Sequence, residues 1–164
     1  MEYVFRKEPE LAIEFDLYLA THMKPVHALE LLSNRFTGLS WSEDRLFLGD
    51  EVVSICSGEV LKSRREALKE GYGFTPTLGI HFRRVFDAEH EQFYQFLMTA
   101  TLVLLEYTQD AVLLFNGELT VMQRLGGRIA FNAEKNPGRD EAWLRSRFPL
   151  PFECRSLRSP LVEG

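Results

Sequence analysis

Four histidines and two cysteines have the widest chemical range in this chain, and their spacing decides what they can do. His22 and His27 are five positions apart. That fits neither the i, i+4 pair that a helix offers to zinc nor the ligand spacing of a zinc finger. His81 falls in a strand-like pattern and His90 at the start of a helical one. No close pair of ligands forms, so no metal and no other cofactor is expected. Cys56 and Cys154 make no CxxC pair and no disulfide framework, and their apolar neighbours Ile55 and Phe152 mark them as small core residues. Gly71-Tyr72-Gly73 follows a helical stretch, whereas a dinucleotide loop follows a strand and opens a helix. Leu125-Gly126-Gly127-Arg128 lacks the lysine and hydroxyl of a P-loop. There is no GxSxG elbow, and neither cysteine has a base beside it in sequence. The acid pairs Glu43-Asp44 and Asp50-Glu51 lie in polar, turn-rich stretches without the burial that raises a carboxyl pKa for general-acid work. The expectation is a protein without catalysis.

One group of polar side chains is brought together by pattern. Ala12–Ala20 alternates, with Ile13, Phe15, Leu17 and Leu19 to one side and Glu14, Asp16 and Tyr18 to the other, as in a half-buried strand. Thr77–Phe86 does the same, with Leu78, Ile80 and Phe82 inward and His81 and Arg83 outward. Glu14, Asp16, Tyr18, His81 and Arg83 then form a mixed patch around an aromatic. Such a patch is either a set of cross-strand ion pairs on a solvated face or a docking surface, since interfaces favour tyrosine and arginine. These five are the candidate partner-binding residues.

The elements that must hold the patch can be read from periodicity. Pro25 suits the first position of a helix that carries Leu29, Leu32 and Phe36 and stops near Gly38. Arg45–Leu48 and Val52–Cys56 read as a hairpin around Gly49-Asp50-Glu51. Glu59–Glu70 reads as a charged, mostly solvated helix closing at Gly71. The main helix runs from about Ala88 to Tyr107, with Phe93, Phe96, Leu97, Ala100 and Leu104 as its buried stripe. Asn116-Gly117 and Gly126-Gly127 are turn pairs, giving a meander of Ala111–Phe115, Glu118–Arg124 and Arg128–Asn132. Asp140–Arg147 reads as a helix anchored by Trp143 and Leu144, Phe152–Leu157 as an edge strand, and Ser159–Gly164 as a frayed tail. The expected fold class is α+β: one domain over residues 1–164, a mainly antiparallel sheet with two apolar helices on one face, and residues 1–12 as an N-terminal extension.

Charge narrows the partners. Residues 1–119 hold 11 Lys/Arg against 19 Asp/Glu, a balance of −8, and residues 120–164 hold 8 against 5, a balance of +3. An acidic body repels phosphate backbones, so nucleic acid is not expected, whereas a basic protein fits by steering and complementarity. MEYVFRKEPELA has no apolar run of signal-peptide length, and Met98–Leu105 falls far short of the ~20 residues that span a bilayer. The expected location is the cytoplasm, with no membrane partner.

Several phrases taken together resemble a known family. They are AIEFDLYLAT followed by the Pro-started helix with Ala28-Leu29-Glu30-Leu31-Leu32, then GYGFTPTLGIHFR, and above all the long aliphatic helix leading into Asp110-Ala111-Val112-Leu113-Leu114-Phe115-Asn116-Gly117-Glu118. From about Ile13 to Asn132 the chain is similar to the Sit-type immunity proteins, partners of the swarming-inhibition toxins that kin-competing myxobacteria exchange. Lys24-Pro25 departs from the family pattern, standing where a capping serine or aspartate is expected. The resemblance implies a small, catalytically inert, cytoplasmic protein whose partner is a cognate protein toxin, and it transfers no site residues. Two other roles remain open to the sequence: a small-ligand binder or enzyme using a cleft between the sheet and the Glu59–Glu70 helix, and a homo-oligomer subunit that buries the same sheet face.

Overall fold

Strict alternation at Glu14–Leu19 forms strand β1, which lies in the middle of the sheet in the computed structural model; the structure describes residues 13–134 and 140–163. The expected N-terminal extension, residues 1–12, lies outside the described residues. After β1 come helix α1 (Pro25–Arg35), strands β2 (Ser40–Trp41), β3 (Leu48–Gly49) and β4 (Val53–Glu59), helix α2 (Lys62–Tyr72), strand β5 (Leu78–Arg84) and helix α3 (His90–Leu105). The meander follows as β6 (Ala111–Phe115), β7 (Leu119–Leu125) and β8 (Arg128–Asn132). Helix α4 (Glu141–Arg147), strand β9 (Glu153–Arg155) and the short helix α5 (Pro160–Glu163) complete the described chain.

The described strands form one sheet in the order β9-β8-β7-β6-β1-β5-β4-β3-β2. Every neighbouring pair is antiparallel except β9, which lies parallel to β8 with Glu153 opposite Ala130. The fold is therefore the expected α+β class, a mostly antiparallel sheet, with the apolar helices α1 and α3 packed on one face. Phe15, Leu17 and Leu19 of β1, Leu78, Ile80 and Phe82 of β5, and Leu113 and Phe131 of the meander are buried there. Against them sit Ala28, Leu29 and Leu32 of α1 and Phe93, Leu97, Ala100 and Leu104 of α3. Phe96 lies at the margin of this core rather than inside it, wedged between Phe36 and Phe82 at ring-centroid distances of 4.8 and 6.4 Å.

The turns have the geometry their residues dictate. Asn116 and Gly117 have φ of 50° and 78°, and Gly126 and Gly127 have 60° and 87°. These are the left-handed pairs that a two-residue hairpin needs and that most residues resist. Pro25 opens α1 after an uncapped Lys24, so the missing capping side chain is a structural fact. Helix α3 ends without a basic residue in its last turn, and Arg124 of β7 supplies the charge instead, donating to the Leu105 and Thr108 carbonyls at 2.8 and 3.2 Å.

Other boundaries move for identifiable reasons. β4 continues to Glu59 because its ladder with β5 pairs Glu59 with Leu78, so α2 starts only at Lys62 and ends on Gly73, φ 84°. Helix α2 is less solvated than its charge suggests. Its Leu68 and Tyr72 pack with Val60, Phe74, Val112 and Leu114 into a second, smaller core on the opposite face of the sheet. Within the tail expected at Ser159–Gly164, Pro160–Glu163 forms the helix α5. Ser159 Oγ accepts from the Thr120 N–H at 3.0 Å, the Thr120 hydroxyl donates to the Arg158 carbonyl at 2.7 Å, and α5 packs against α2 beside this second core. Ser40–Trp41, with no strand pattern of its own, forms the last strand of the sheet because Trp41 pairs with Leu48.

Candidate functional site

Because β1 alternates, its even positions leave the main core, and the two strands beside it bring matching positions alongside. Glu14 stands opposite Arg83 and then Ser54, Asp16 opposite His81 and then Cys56, and Tyr18 opposite Gly79 and then Gly58. The structure thus unites the five residues expected from the sequence, in three parallel rows across β1 and β5. Cys56, whose alternation within β4 places it in the middle row, joins them.

The rows are internally paired. His81 Nδ1 lies 2.7 Å from Asp16 Oδ1, and its Nε2 lies 3.5 Å from Glu14 Oε1. Arg83 Nε lies 3.5 Å from the other oxygen of Glu14. The hydrogen bond to Asp16 raises the His81 pKa above its ordinary value; the charges of Asp16 and Glu14 act in the same direction, while burial and Arg83 oppose them. Arg83 is the most open member of this network, 58% exposed, against 20% for Asp16.

Tyr18 requires a correction. The sequence pattern presents it as an outward aromatic on an open face, but here its ring packs against Gly79, where a Cβ would come within 3.1 Å of the ring. Helix α2 then covers it: the Arg64 guanidinium sits 5.9 Å from the ring centroid and donates to the Gly117 carbonyl at 3.1 Å. Tyr18 is half-buried and joins the second core. Its pKa is raised by that burial first and by Asp16 second, with Arg64 opposing. Two contributors were not found in the sequence. Gly79 had the alternation of β5 as a signal, but Arg64 comes from a distant helix and had none.

Between α2 and these rows lies a shallow cleft of about 320 Å³, with Tyr18, Gly79, His81 and Cys56 as floor and Leu61 and Arg64 as wall. Cys56, His81 and Asp16 stand in one row, where burial, then Asp16 and Glu14, push the Cys56 pKa up. A larger cleft of about 950 Å³ opens at the end of the sheet where Ala20, α1 and the Tyr107–Asp110 segment meet. Its carboxylates are already engaged, Glu106 by Arg35 at 3.1 Å and Asp110 by the Gly126 N–H at 2.8 Å. Among the described residues no three His, Cys, Asp or Glu side chains are grouped to hold a metal ion, and no helix is long and apolar enough to cross a membrane.

No curated protein and no solved structure matches the chain. A family model does. It is described as SitI3-like and matches residues 13–142, a span that holds β1 through β8, both helices of the main core and every residue of the three rows. The match extends past Asn132, where the resemblance in the sequence ended. On this match the chain belongs to the SitI3-like family.

Proposed function

We propose that this protein is an immunity factor that neutralises a cognate protein toxin by binding it directly in the cytoplasm, without catalysis. The observation that carries the reading is the SitI3-like match over residues 13–142. The acidic balance over residues 1–119 supports a basic partner, and the two free cysteines suit a reducing compartment. The contact surface we propose is the row set Glu14, Asp16, Tyr18, His81 and Arg83. Glu14, Asp16, His81 and Arg83 hold one another in place, so little of their side-chain freedom is lost when a partner covers them.

The test is co-expression with the toxin encoded beside the gene, read as cell survival, together with co-purification of the two proteins. Survival and a stable complex are expected. A wild-type protein that neither protects nor binds removes the immunity role. Asp16→Lys and Arg83→Glu are expected to weaken binding by about tenfold or more, as charge reversals within an interface do. Full protection by both variants would move the contact surface elsewhere and leave the role intact.

A further inference from the structure

The turn between β2 and β3 is pinned by its own hydrogen bonds, yet it leaves its two large apolar side chains in water: Leu46 is 61% and Phe47 45% exposed. The Asp44 carboxylate accepts from the Ser42 hydroxyl at 2.6 Å and from the Leu46 N–H at 3.1 Å. Ser42 Oγ accepts from the Phe47 N–H at 3.1 Å, and the Phe47 carbonyl accepts from the Ser42 N–H at 2.9 Å. Arg45 adopts φ 59°, a left-handed conformation unusual for a non-glycine residue, and its guanidinium lies 4.2 Å over the Trp41 ring. Strain of this kind persists where the surroundings enforce it, and it collects at functional positions. Here the enforced geometry leaves Leu46 and Phe47 exposed to solvent.

The direction of presentation follows from the register. Trp41 pairs with Leu48, and the Ser42–Phe47 hydrogen bond carries that pairing one step further. Leu48 is buried in the main core, so alternation puts Phe47 on the other face, the one that carries Ser54, Cys56, His81 and Arg83. Exposed carboxylates surround the turn, Glu43 and Asp44 within it and Asp50 and Glu51 at the neighbouring β3–β4 turn. The basic residue among them, Arg45, is the one stacked on Trp41.

We infer that Leu46 and Phe47 are the apolar anchor of the toxin-binding surface, seated in an apolar pocket of the toxin whose rim is basic and meets Glu43, Asp44, Asp50 and Glu51. This rests on the immunity reading above and adds the part of the surface that holds the complex together. A second copy of this chain is a poor occupant, because a two-fold contact would set each acidic rim against itself. Anionic lipid and nucleic acid are repelled by the same charges.

The test uses the full-length protein and the toxin domain encoded beside it, with association and dissociation rates measured separately. Leu46→Ser and Phe47→Ser are each expected to weaken the complex about 30-fold or more, mainly through faster dissociation, as loss of an apolar anchor does. Leu150→Ser and Val162→Ser, which remove exposed apolar side chains elsewhere on the surface, are the controls and should bind as wild type. Glu43→Lys and Glu51→Lys should slow association and flatten its dependence on salt. Thermal melts of every variant check that the fold is retained. Leu46 and Phe47 variants that melt normally and bind within threefold of wild type overturn the anchor while the immunity role stands. Absence of a wild-type complex overturns both. A free protein that sediments as a dimer, dissociated by Leu46→Ser, assigns the patch to a second copy and overturns the inference.

Discussion

The face of the sheet under α1 and α3 is mostly apolar from β3 to β8, with Arg84 and Arg124 as its charged members, whereas the opposite face changes character part-way across. On that second face the β6 side is covered by α2 and α5 over Val112, Leu114, Leu68 and Tyr72, while the rows on β1, β5 and β4 end in ion pairs. Tyr18 and Arg64 stand at the boundary. A mostly apolar layer covered by helices supplies stability, whereas a face that is half covered and half ionic gives up burial and retains exposed charge.

The largest effect should come from the continuous face. Leu104→Ala removes a fully buried side chain between α3 and the sheet and is expected to cost about 2–5 kcal/mol in chemical denaturation. A loss below about 1 kcal/mol, typical of surface changes, would mean that the two faces are not so different. Next comes the boundary. Tyr18→Ala should cost about 1–3 kcal/mol, less than a fully buried aromatic, because half of the ring is covered by Arg64 and Gly79. An unchanged melting temperature would show that the second face is open as far as β6, so the binding of any Tyr18 variant must be read against its own stability. Gly117→Val should cost about 1–2 kcal/mol, since φ 78° strains a β-branched residue, and normal stability would remove the turn that offers its carbonyl to Arg64.

The smallest expected effect tests the ionic half. The His81 pKa is raised in the folded state, so the imidazolium contact with Asp16 contributes fully below the unfolded value of about 6.5 and is lost as pH rises through the higher folded value. Stability should therefore decline across that window in wild type, and the decline should be shallower in His81→Gln. Parallel pH profiles for the two proteins would show that the His81–Asp16 contact does not stabilise the fold.

Much of this was legible in the sequence because period-two alternation survives wherever one face is buried. Phe15, Leu17 and Leu19 fixed which way Glu14, Asp16 and Tyr18 point, and the Asn116-Gly117 pair fixed its turn. What the local pattern could not carry was coverage from afar. Nothing near Tyr18 in sequence announces Arg64, and nothing in Ser159–Glu163 announces the Thr120 N–H that anchors it. Short elements were lost for the same reason. Ser40–Trp41 is a strand only because Leu48 lies beside it, and Glu59 stays extended only because Leu78 holds it there.

The position of β1 has a consequence in time. Although it lies near the start of the chain, β1 sits in the middle of the sheet, and its partners are Leu78–Arg84 on one side and Ala111–Phe115 on the other. While the chain is being synthesised, one edge of this strand stays unpaired until Leu78–Arg84 has emerged and the other until Ala111–Phe115, about a hundred positions downstream, as the Asn116–Glu14 backbone hydrogen bond illustrates. Such non-local closure makes folding slow, on the order of milliseconds to seconds, and leaves an apolar strand exposed meanwhile. Refolding that finished within microseconds would contradict this order of assembly. For the proposed immunity role, protection would then begin only once newly made chains had closed the sheet.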